Sequence, residues 1–556
     1  MLRPTLPLIV LAGLTFFAGL GRGAITDADE AFYAESAHEM VASGDWITPH
    51  YNFEPRFQKP VLYYWLTAAT YRLAGESETT ARWWAAMAGL GLALLTARCA
   101  RQWYGDPTGL LAGAIVATSF GYVSIGRMAL PDLPLTFFIT LSIWAALRAT
   151  VDEPKPSTRA VVGAAVAIGL GFLTKGPVAL ILPALVVIPV LVIERRSLVL
   201  GSGQIILGAL VLMAVAAPWY VAMWTRHGNE YLQHFFVGDN LERFATDRFN
   251  DPRPWWFYGP IVSGGLLPWT PLALVWVPPV TRWLRKRADI GALEMRLLMW
   301  AVLPLAFYTL SVGKQPRYVL PVLPPLAILL AASVVERTRR WRGLDGTGTP
   351  PRRSTAVVAG AALGGLALVV LAGLLVRIEP LLINISPVAT VTSAVVIGAS
   401  GLAVIGVSVS RAWRAAPGTL AVAAAISFVA LQFGGLSGGG DDTVRQVAAL
   451  VTAQRTNGEA LATYGVFVRN LVFYTGVRTA DVITDEQAQQ FLSQPSRALI
   501  VAPADVLDRL EGERRVALNR IAELPYFNPA GIRVRTVLWP DPARDLTRVV
   551  LASNGR

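Results

Sequence analysis

The sequence is poor in charge, cysteine and histidine. Charged residues make up 15% of the 556 positions and hydrophobic residues 54%, whereas soluble domains carry about 25% charged residues. Cys99 is the only cysteine, which excludes a disulfide framework, a cysteine-ligated metal site and an iron–sulfur cluster. The four histidines, at positions 38, 50, 227 and 234, form no recognised ligand spacing. The sequence therefore requires no cofactor, although histidines and carboxylates leave a divalent metal open.

The formal net charge of +12 raises the question of nucleic acid binding. However, the basic residues occur in short clusters between apolar runs, and not along one face or one tail. We therefore predict a lipid bilayer, and no nucleic acid, as the partner of these clusters.

Thirteen apolar runs are predicted to cross the membrane as helices, because a bilayer core of about 30 Å requires about 20 mostly apolar residues. They are residues 6–20, 81–97, 109–125, 133–147, 160–173, 178–193, 205–223, 255–277, 297–310, 318–335, 357–376, 388–409 and 420–436. The first is interpreted as a retained span, since no small-residue cleavage site follows it. Residues 60–73 are too few to span, so we predict an interfacial helix there.

The orientation follows from the arginines and lysines, which are retained in the cytoplasm when they flank a span. Every second loop is basic; these loops carry Arg98 and Arg101; Arg148, Lys155 and Arg159; Arg195 and Arg196; Arg282, Arg285, Lys286 and Arg287; Arg337, Arg339, Arg340, Arg342, Arg352 and Arg353; and Arg411 and Arg414. The N-terminus is thus predicted inside and the C-terminus outside. Cys99 is predicted to lie in the cytoplasmic loop after the second span.

The predicted external side holds most of the remaining polar sequence. Residues 1–438 are predicted to form a membrane domain with external loops at 21–80 and 225–254. Residues 439–556 are predicted to form a small external α/β domain, with β-branched runs at 497–501 and 532–538 as strands. No internal repeat is evident, so the inverted halves of many secondary transporters have no support.

Three acidic residues, at two places in the sequence, are candidate site residues. Asp29 and Glu30 lie just outside the first span, followed by Tyr33. Thr26 followed three residues later by Asp29 is also the pattern of a capping box, but capping leaves Glu30 and Tyr33 unexplained. Asp132 opens the fourth span, where the helix dipole would favour it or where it would face a cavity or a cation.

Lysine is scarce, which draws attention to the positions where it occurs. Only five of the 49 basic residues are lysines, and Lys59, Lys175 and Lys314 lie on the predicted external side. One such residue near a span commonly extends to the lipid headgroups. Three of them together with Arg317 favour a phosphate-binding site.

The segment 233–244 adds His234, Asp239, Asn240 and Arg243. Helical spacing would place Asp239 or Asn240 beside Arg243. A plain amphipathic helix on the membrane surface is the alternative interpretation.

These motifs together resemble one family. They are Asp29-Glu30-x-x-Tyr33, Phe57-Gln-Lys-Pro60, Pro131-Asp132, Leu173-Thr-Lys-Gly-Pro177, Asn240-x-x-Arg243 and Pro316-Arg-Tyr-Val-Leu-Pro321. In order and side they resemble the GT-C glycosyltransferases related to protein O-mannosyltransferases, over the whole length. Within that family the chain is most similar to the Gram-negative transferases that move 4-amino-4-deoxy-L-arabinose from undecaprenyl phosphate to lipid A.

The resemblance implies an α-helical, multi-pass GT-C fold with a small C-terminal α/β domain, in the bacterial inner membrane. It implies an undecaprenyl-phosphate-linked sugar as donor, a lipid A phosphate as acceptor, a monomeric enzyme, and a contribution to polymyxin and cationic peptide resistance. Catalytic positions are then Asp29, Glu30 and Asp132; substrate-binding positions are Tyr33, Lys59, Lys175, His234, Asn240, Arg243, Lys314, Arg317 and Tyr318. Gln58 departs from the pattern, because relatives often carry Glu before the lysine, and a metal-binding function there is in doubt.

Three alternatives stay open at this stage. A protein O-mannosyltransferase, or another polyprenyl-phosphate sugar transferase, would share these motifs. A secondary transporter would place its charged site at the bilayer midplane, whereas these motifs cluster at one side. A scaffold protein would give no reason for acids and cations to converge.

Overall fold

Helices dominate the structure, a computed structural model that describes residues 5–152, 156–196, 200–247, 252–285, 289–340, 353–437, 442–456, 458–528 and 531–554. In the first half, the α-helices are α1 Leu6–Phe17, α2 Asp29–Ser43, α3 Leu62–Ala74, α4 Glu78–Tyr104, α5 Asp106–Ala117, α6 Phe120–Gly126, α7 Asp132–Leu147, α8 Thr158–Lys175, α9 Val178–Ile193, α10 Ser202–Leu232, α11 Arg243–Ala245 and α12 Tyr258–Gly265. π-Helices follow α7 at Arg148–Asp152 and α10 at Gln233–Glu242, and a hairpin pairs β1 His50–Tyr51 with β2 Glu54–Pro55.

The second half continues with membrane helices and ends in a mixed region. The α-helices are α13 Val277–Leu284, α14 Ala292–Leu310, α15 Leu323–Arg340, α16 Thr355–Ile378, α17 Pro387–Val409, α18 Ala416–Leu431, α19 Thr443–Gln454, α20 Leu471–Thr475, α21 Asp485–Leu492, α22 Ala504–Gly512, α23 Val534–Leu538 and α24 Pro542–Asp545. The 3₁₀-helices are Thr270–Trp276, Pro316–Val322, Glu379–Leu381 and Trp413–Ala415, and a π-helix lies at Gln432–Leu436. The strands are β3 Ala460–Tyr464, β4 Thr479–Val482, β5 Ala498–Pro503, β6 Asn519–Tyr526 and β7 Thr547–Ser553.

The predicted spans are present as helices. Within the described residues, nine helical segments are long and apolar enough to cross a membrane, two bent pairs (α5 with α6, and α12 with the segment 270–284) pass together, and α1 and α9 are shorter apolar helices. These segments cover all thirteen predicted runs, so the chain is a multi-span membrane protein. The predicted interfacial segment 60–73 forms α3, which has 13 residues.

The basic loops meet at one end of the helices. Arg296 lies 2.8 Å from Asp152 and 2.5 Å from Glu194, and the Gln102 amide donates to Asp152 at 3.0 Å. These contacts link four connections between membrane helices. The arginine pattern predicts all four on the same side of the membrane. We call this the basic end, and the end that carries Asp132 and Lys175 the site end. Lys155, Lys286, Arg287, Arg342 and Arg352 lie outside the described residues.

The predicted loop position of Cys99 is wrong. Cys99 lies inside α4 and is fully buried. The residues after it favour helix, and α4 ends only at Gly105, whose φ of +88° suits glycine.

The C-terminal residues form a five-stranded sheet in the order β4-β3-β5-β7-β6. β3 pairs in parallel with β4 and β5, whereas β7 runs antiparallel to β5 and β6. Helices α19 and α20 pack on one face, and α21 and α22 on the other. The α/β prediction is confirmed, and the predicted domain boundary at 438–439 lies outside the described residues.

The segment 532–538 was predicted as a strand and is instead the short helix α23. Val534 and Leu538 are 75% and 39% exposed, so they contribute little to the sheet's core. The Arg377 guanidinium, near the end of α16, donates to the Leu538 carbonyl at 2.6 Å. This segment therefore contacts the end of a membrane helix and does not pair as a strand.

An aromatic cluster at the site end holds the first long loop against the membrane helices. Tyr33 from α2 and Tyr64 from α3 stack with ring centroids 5.4 Å apart. Trp219 and Tyr231 from α10 extend the cluster at 5.5 Å. Since aromatic pairs contribute about 0.5–1.5 kcal/mol beyond their buried area, this packing fixes the elements that carry the candidate site.

Candidate active site

A cavity of about 370 Å³ lies at the site end. Its polar wall consists of Lys59, Asp132, Thr136, Lys175, Asp239, Asn240, Arg243, Ser311, Arg317 and Tyr318. Its apolar wall includes Leu135, Val178, Ile181, Phe236, Leu241, Phe244 and Phe307. The fold therefore gathers residues that lie as far as 259 positions apart in the chain, from Lys59 to Tyr318.

Asp132 is the first residue of α7 and Lys175 the last of α8, so two antiparallel neighbours bring them together. The Lys175 ammonium lies 2.5 Å from the Asp132 carboxylate, which is 4% exposed. Arg317 Nε lies 3.5 Å from the same oxygen. A buried acid needs such partners because an unpaired buried charge is costly, and here it holds two cations at the cavity wall.

Gly176 sets the position of Lys175. Its φ of +86° ends α8 in a backbone region that glycine enters without strain. A Cβ added at Gly176 would also lie 2.5 Å from the Phe235 ring. The glycine thus lets the aromatic cluster approach the end of α8.

Asp29 faces Arg317 at the edge of the cavity. The two side chains form an ion pair, and that of Asp29 is 41% exposed. Burial raises the pKa of Asp29, but the charges of Arg317, Arg469 and Arg56 outweigh it and hold the pKa below its ordinary value. Asp29 is therefore ionised at neutral pH.

The capping box predicted for Thr26 and Asp29 is absent. α2 begins at Asp29 after Ala28, which provides no side-chain cap. The Thr26 amide and hydroxyl instead donate to the Glu30 carboxylate, at 2.9 and 3.0 Å. Asp29 is thus free of a capping function.

Glu30 does not reach the cavity. Its fully buried carboxylate accepts from Arg82 Nε at 2.7 Å and from the Ala129 amide at 2.8 Å. Burial raises the pKa of Glu30, but Arg82 and these amides hold it below its ordinary value. Glu30 therefore anchors the start of α2, which carries Asp29, and its position does not support the catalytic function predicted for it.

Asp239 organises a second group of polar side chains in the cavity. Its carboxylate, 1% exposed, lies 2.7 Å from Arg243, 3.6 Å from Lys59 and 3.8 Å from His234. The contact to Arg243 confirms the neighbours predicted from helical spacing. The sequence analysis singled out Asp239 as a possible neighbour of Arg243 but assigned it no catalytic or binding function.

Lys59 is a buried cation whose pKa is lowered by its surroundings. Burial, together with the charges of Arg243 and Lys175, lowers its pKa to about 8, against the partial opposition of Asp239. Its ammonium also donates to the Gln58 carbonyl at 2.8 Å. A phosphate anion in the cavity would stabilise the charged form of Lys59 and raise its pKa.

The remaining predicted residues fall into two groups. Tyr318 and Asn240 line the cavity; Lys175 Nζ lies 5.0 Å from the Tyr318 ring centroid, and the Asn240 amide donates to the Phe235 carbonyl at 2.7 Å. Lys314 donates to the Ser311 carbonyl at 2.6 Å, and neither it nor Tyr33 lines the cavity.

His234 lines a second, adjoining cavity of about 700 Å³ together with Gln58, and this cavity shares Asp239 and Arg243 with the first. In the part of the chain that the structure describes, no group of three or more His, Cys, Asp or Glu side chains is placed to hold a metal ion.

Comparisons with known proteins match both the sequence and the fold. The family model for dolichyl-phosphate-mannose-protein mannosyltransferase matches residues 18–231. The structure superposes on the crystal structure of ArnT from Cupriavidus metallidurans bound to undecaprenyl phosphate with a TM-score of 0.74 and 21% identity, over 99% of this chain and 98% of that one. The chain has the GT-C fold. The resemblance and the fold class predicted from the sequence are thereby confirmed.

Curated relatives carry the name undecaprenyl phosphate-alpha-4-amino-4-deoxy-L-arabinose arabinosyl transferase. The protein of Pseudomonas aeruginosa (strain LESB58) is 35% identical over 346 residues, which are 61% of this chain and 61% of that protein. That of Edwardsiella ictaluri (strain 93-146) is 35% identical over 339 residues, or 60% of this chain and 59% of the relative. The chain thus matches about three fifths of the length of these relatives.

Within this GT-C fold, the segment matched by the family model carries Asp29, Lys59, Asp132 and Lys175. Asp239, Arg243 and Arg317, which complete the cavity wall, lie beyond that segment. The site thus combines a part of the chain that the mannosyltransferase model describes with a part that it does not.

Proposed function

We propose that this chain is a glycosyltransferase of the bacterial inner membrane that transfers 4-amino-4-deoxy-L-arabinose from undecaprenyl phosphate to a phosphate of lipid A. The observation that carries the proposal is the single cavity in which Lys59, Lys175, Arg243 and Arg317 surround two buried acids, with Asp29 at its edge. The names of the curated relatives supply the sugar and the carrier.

The cavity suits a lipid-linked phosphate because both charged and apolar side chains line it. Its four basic side chains can neutralise a phosphodiester. Leu135 of α7 and Val178 and Ile181 of α9 offer apolar surface for an isoprenoid chain. These helices are membrane segments, so the chain of the carrier can extend into lipid.

The proposed reaction balances without a transferred proton. An ionised oxygen of the acceptor phosphate attacks C1 of the sugar and forms a new C1–O bond. The C1–O bond to the carrier breaks, and its electron pair leaves on the carrier oxygen as undecaprenyl phosphate. The leaving phosphate gains one negative charge, which Lys59 and the neighbouring cations neutralise.

Asp29 has two functions in this reaction. As a carboxylate it stabilises the positive charge that develops on the sugar ring, and it can bind the amino group of the sugar. It is a poor general base, because its ion pair with Arg317 lowers its pKa and an efficient base has a pKa near the working pH. This favours an acceptor that is already ionised over a serine or threonine hydroxyl, which the O-mannosyltransferase alternative requires.

The proposal also covers the subunit state of the protein and its orientation in the membrane. We propose that the enzyme acts as a monomer, as the family resemblance implies. The arginine pattern supports a periplasmic position for the site end and the C-terminal sheet, which modification of lipid A would require.

Mass spectrometry of lipid A tests the proposal. We expect a pentosamine increment in lipid A from cells that express the intact gene, and its loss in a deletion strain and in cells expressing Asp29→Asn. Unchanged lipid A together with hexose on a membrane or periplasmic protein would instead support the O-mannosyltransferase alternative.

A further inference from the structure

We propose that Arg56 and Arg469 form the subsite for the acceptor phosphate, so that the C-terminal region takes part in acceptor recognition. The inference rests on the proposed function, which it extends from the donor to the acceptor. Arg56 lies in the first long loop, directly after β2, and Arg469 lies between β3 and α20.

Both guanidinium groups lie against the ring of Phe32. The Cζ atoms of Arg56 and Arg469 are 3.9 and 5.3 Å from its centroid. Phe32 follows Asp29 by three residues in α2, so the two side chains lie on the same helix face. The arginine pair is therefore next to Asp29.

Neither arginine is neutralised by a close carboxylate. Among the described residues, no acid lies within 4.0 Å of Arg56 or Arg469. Arg56 Nε donates to the Tyr64 hydroxyl at 3.3 Å, and Arg469 is exposed to solvent. Since both groups lie against one ring, a phosphate beside that ring would be attracted by both charges and could accept hydrogen bonds from their N–H groups.

The position of the pair fits the acceptor and not the donor. Neither arginine lines the cavity that holds Lys59 and Lys175, yet the charges of both act on Asp29. They therefore flank Asp29 on its solvent-accessible side, which the donor cavity does not cover. An acceptor arriving from the aqueous phase would meet them before reaching the sugar.

The loop that carries Arg469 is held in place by several bonds. The Asp27 carboxylate accepts the backbone amides of Val468 at 3.2 Å and Arg469 at 2.6 Å. The Asn470 side chain donates to the Ile25 carbonyl at 2.9 Å, and the Tyr51 hydroxyl to the Arg469 carbonyl at 3.1 Å.

This loop also lies at a position that open α/β sheets use for binding. β3 lies between β4 and β5 and is parallel to both, so the chain reverses its direction across the sheet there. Ligands bind outside the carboxyl ends of strands at such a switch point. Phe467 in the loop has a φ of +53°, which costs energy in a residue other than glycine and shows that the loop's conformation is imposed by its contacts.

A binding experiment with purified full-length protein tests the subsite without requiring turnover. Lipid A and dephosphorylated lipid A are titrated in detergent, in the absence of donor, against the wild-type chain, Arg469→Ala and Arg469→Lys. We expect Arg469→Ala to bind lipid A about tenfold more weakly and to lose most of the preference for the phosphorylated ligand. Arg469→Lys should retain part of that preference, since it keeps the charge.

Arg478→Ala is the matched control. Arg478 also connects the C-terminal region to the first loop, through an ion pair with Glu54, but it does not contact Phe32 or line the cavity. Equal losses in Arg469→Ala and Arg478→Ala would show that Arg469 only holds the two parts together, and undiminished phosphate preference in Arg469→Ala would overturn the subsite.

Transfer assays separate this inference from the proposed function. With donor present, we expect Arg469→Ala to raise KM for lipid A about tenfold and to leave KM for the donor within about twofold of the wild type. Absence of transfer to lipid A by the wild-type chain would refute the proposed function, whereas the binding comparison would still decide whether Arg469 recognises a phosphate.

Discussion

At the scale of single residues, the ionised state of Asp29 depends on three distant parts of the chain. Arg317, Arg469 and Arg56 supply the charges that hold its pKa below the ordinary value against burial. We expect Asp29→Asn to fold normally and to lose about 10²- to 10³-fold in kcat, as for other charge-stabilising groups. Transfer rates and thermal unfolding in detergent measure the two effects.

Asp45→Asn is the control for this variant. Asp45 also pairs with an arginine, Arg226, at 2.6 Å, but it does not line the cavity. Full activity in Asp29→Asn, or an equal loss in Asp45→Asn, would contradict the function assigned to Asp29.

Lys59 gives the site a dependence on pH. Its pKa of about 8 means that it is charged at neutral pH and loses its proton as the pH rises through 8. We expect kcat/KM for the donor to fall above about pH 8, because this parameter reports groups of the free enzyme. Lys59→Arg should abolish the fall, since arginine stays charged.

Removal of the charge should have a related effect. We expect Lys59→Ala to lower kcat/KM for the donor about 10- to 100-fold, the value of a charge-assisted phosphate contact. Arg72→Ala, which removes an exposed basic residue from α3, is the control. A wild-type profile that stays flat to about pH 10 would place the phosphate away from Lys59.

The sequence identified most of the polar wall but could not separate residues that line the cavity from those that support it. Asp29 and Glu30 are adjacent, so on a helix they point about 100° apart, and only Asp29 pairs with Arg317, which lines the cavity. Glu30 turns to Arg82, which lies 52 positions later. No local pattern predicts that pairing, nor the approach of Arg469 to Phe32.

At the scale of elements, the end of α8 shows how a glycine positions a charged group. We expect Gly176→Ala to destabilise the protein and to raise KM for the donor several-fold, because alanine is strained at φ +86° and its Cβ would lie 2.5 Å from Phe235. The strain lowers the stability, and the resulting displacement of Lys175 raises KM. Thermal unfolding and donor titration measure them.

Gly163→Ala provides the comparison within the same helix. Gly163 lies inside α8 with nothing within 4 Å of an added Cβ, so alanine should be neutral or slightly stabilising there. Equal behaviour of the two variants would contradict the positioning function of Gly176.

Apolar length predicted the membrane elements well, because a helix is the form in which a single segment satisfies its backbone in lipid. The strand predicted at 532–538 from its β-branched residues was wrong. This short run contacts the end of α16 and forms α23. Strand and surface-contact patterns share the same residue types, and only tertiary contacts distinguish them.

At the scale of the whole molecule, the helices have two chemically different ends. The basic end carries the arginine clusters with partners such as Asp152 and Glu194, and the site end carries the cavity and the C-terminal sheet. The structure groups the loops as the arginine pattern requires. Which end faces the cytoplasm is still a prediction from that pattern.

Cysteine labelling in intact cells can decide the orientation. Cys99 cannot serve as the reporter, because it is fully buried in α4. We therefore propose two variants in the Cys99→Ala background, Arg478→Cys near the C-terminal sheet and Arg411→Cys after α17, both at exposed positions. An impermeant thiol reagent should label Arg478→Cys in intact cells and Arg411→Cys only after the membrane is opened, since the arginines are expected inside. The unmodified chain should stay unlabelled in both conditions, which confirms that burial and not sidedness protects Cys99. The reverse pattern would place the cavity in the cytoplasm, where periplasmic lipid A could not reach it, and would overturn the acceptor together with the topology.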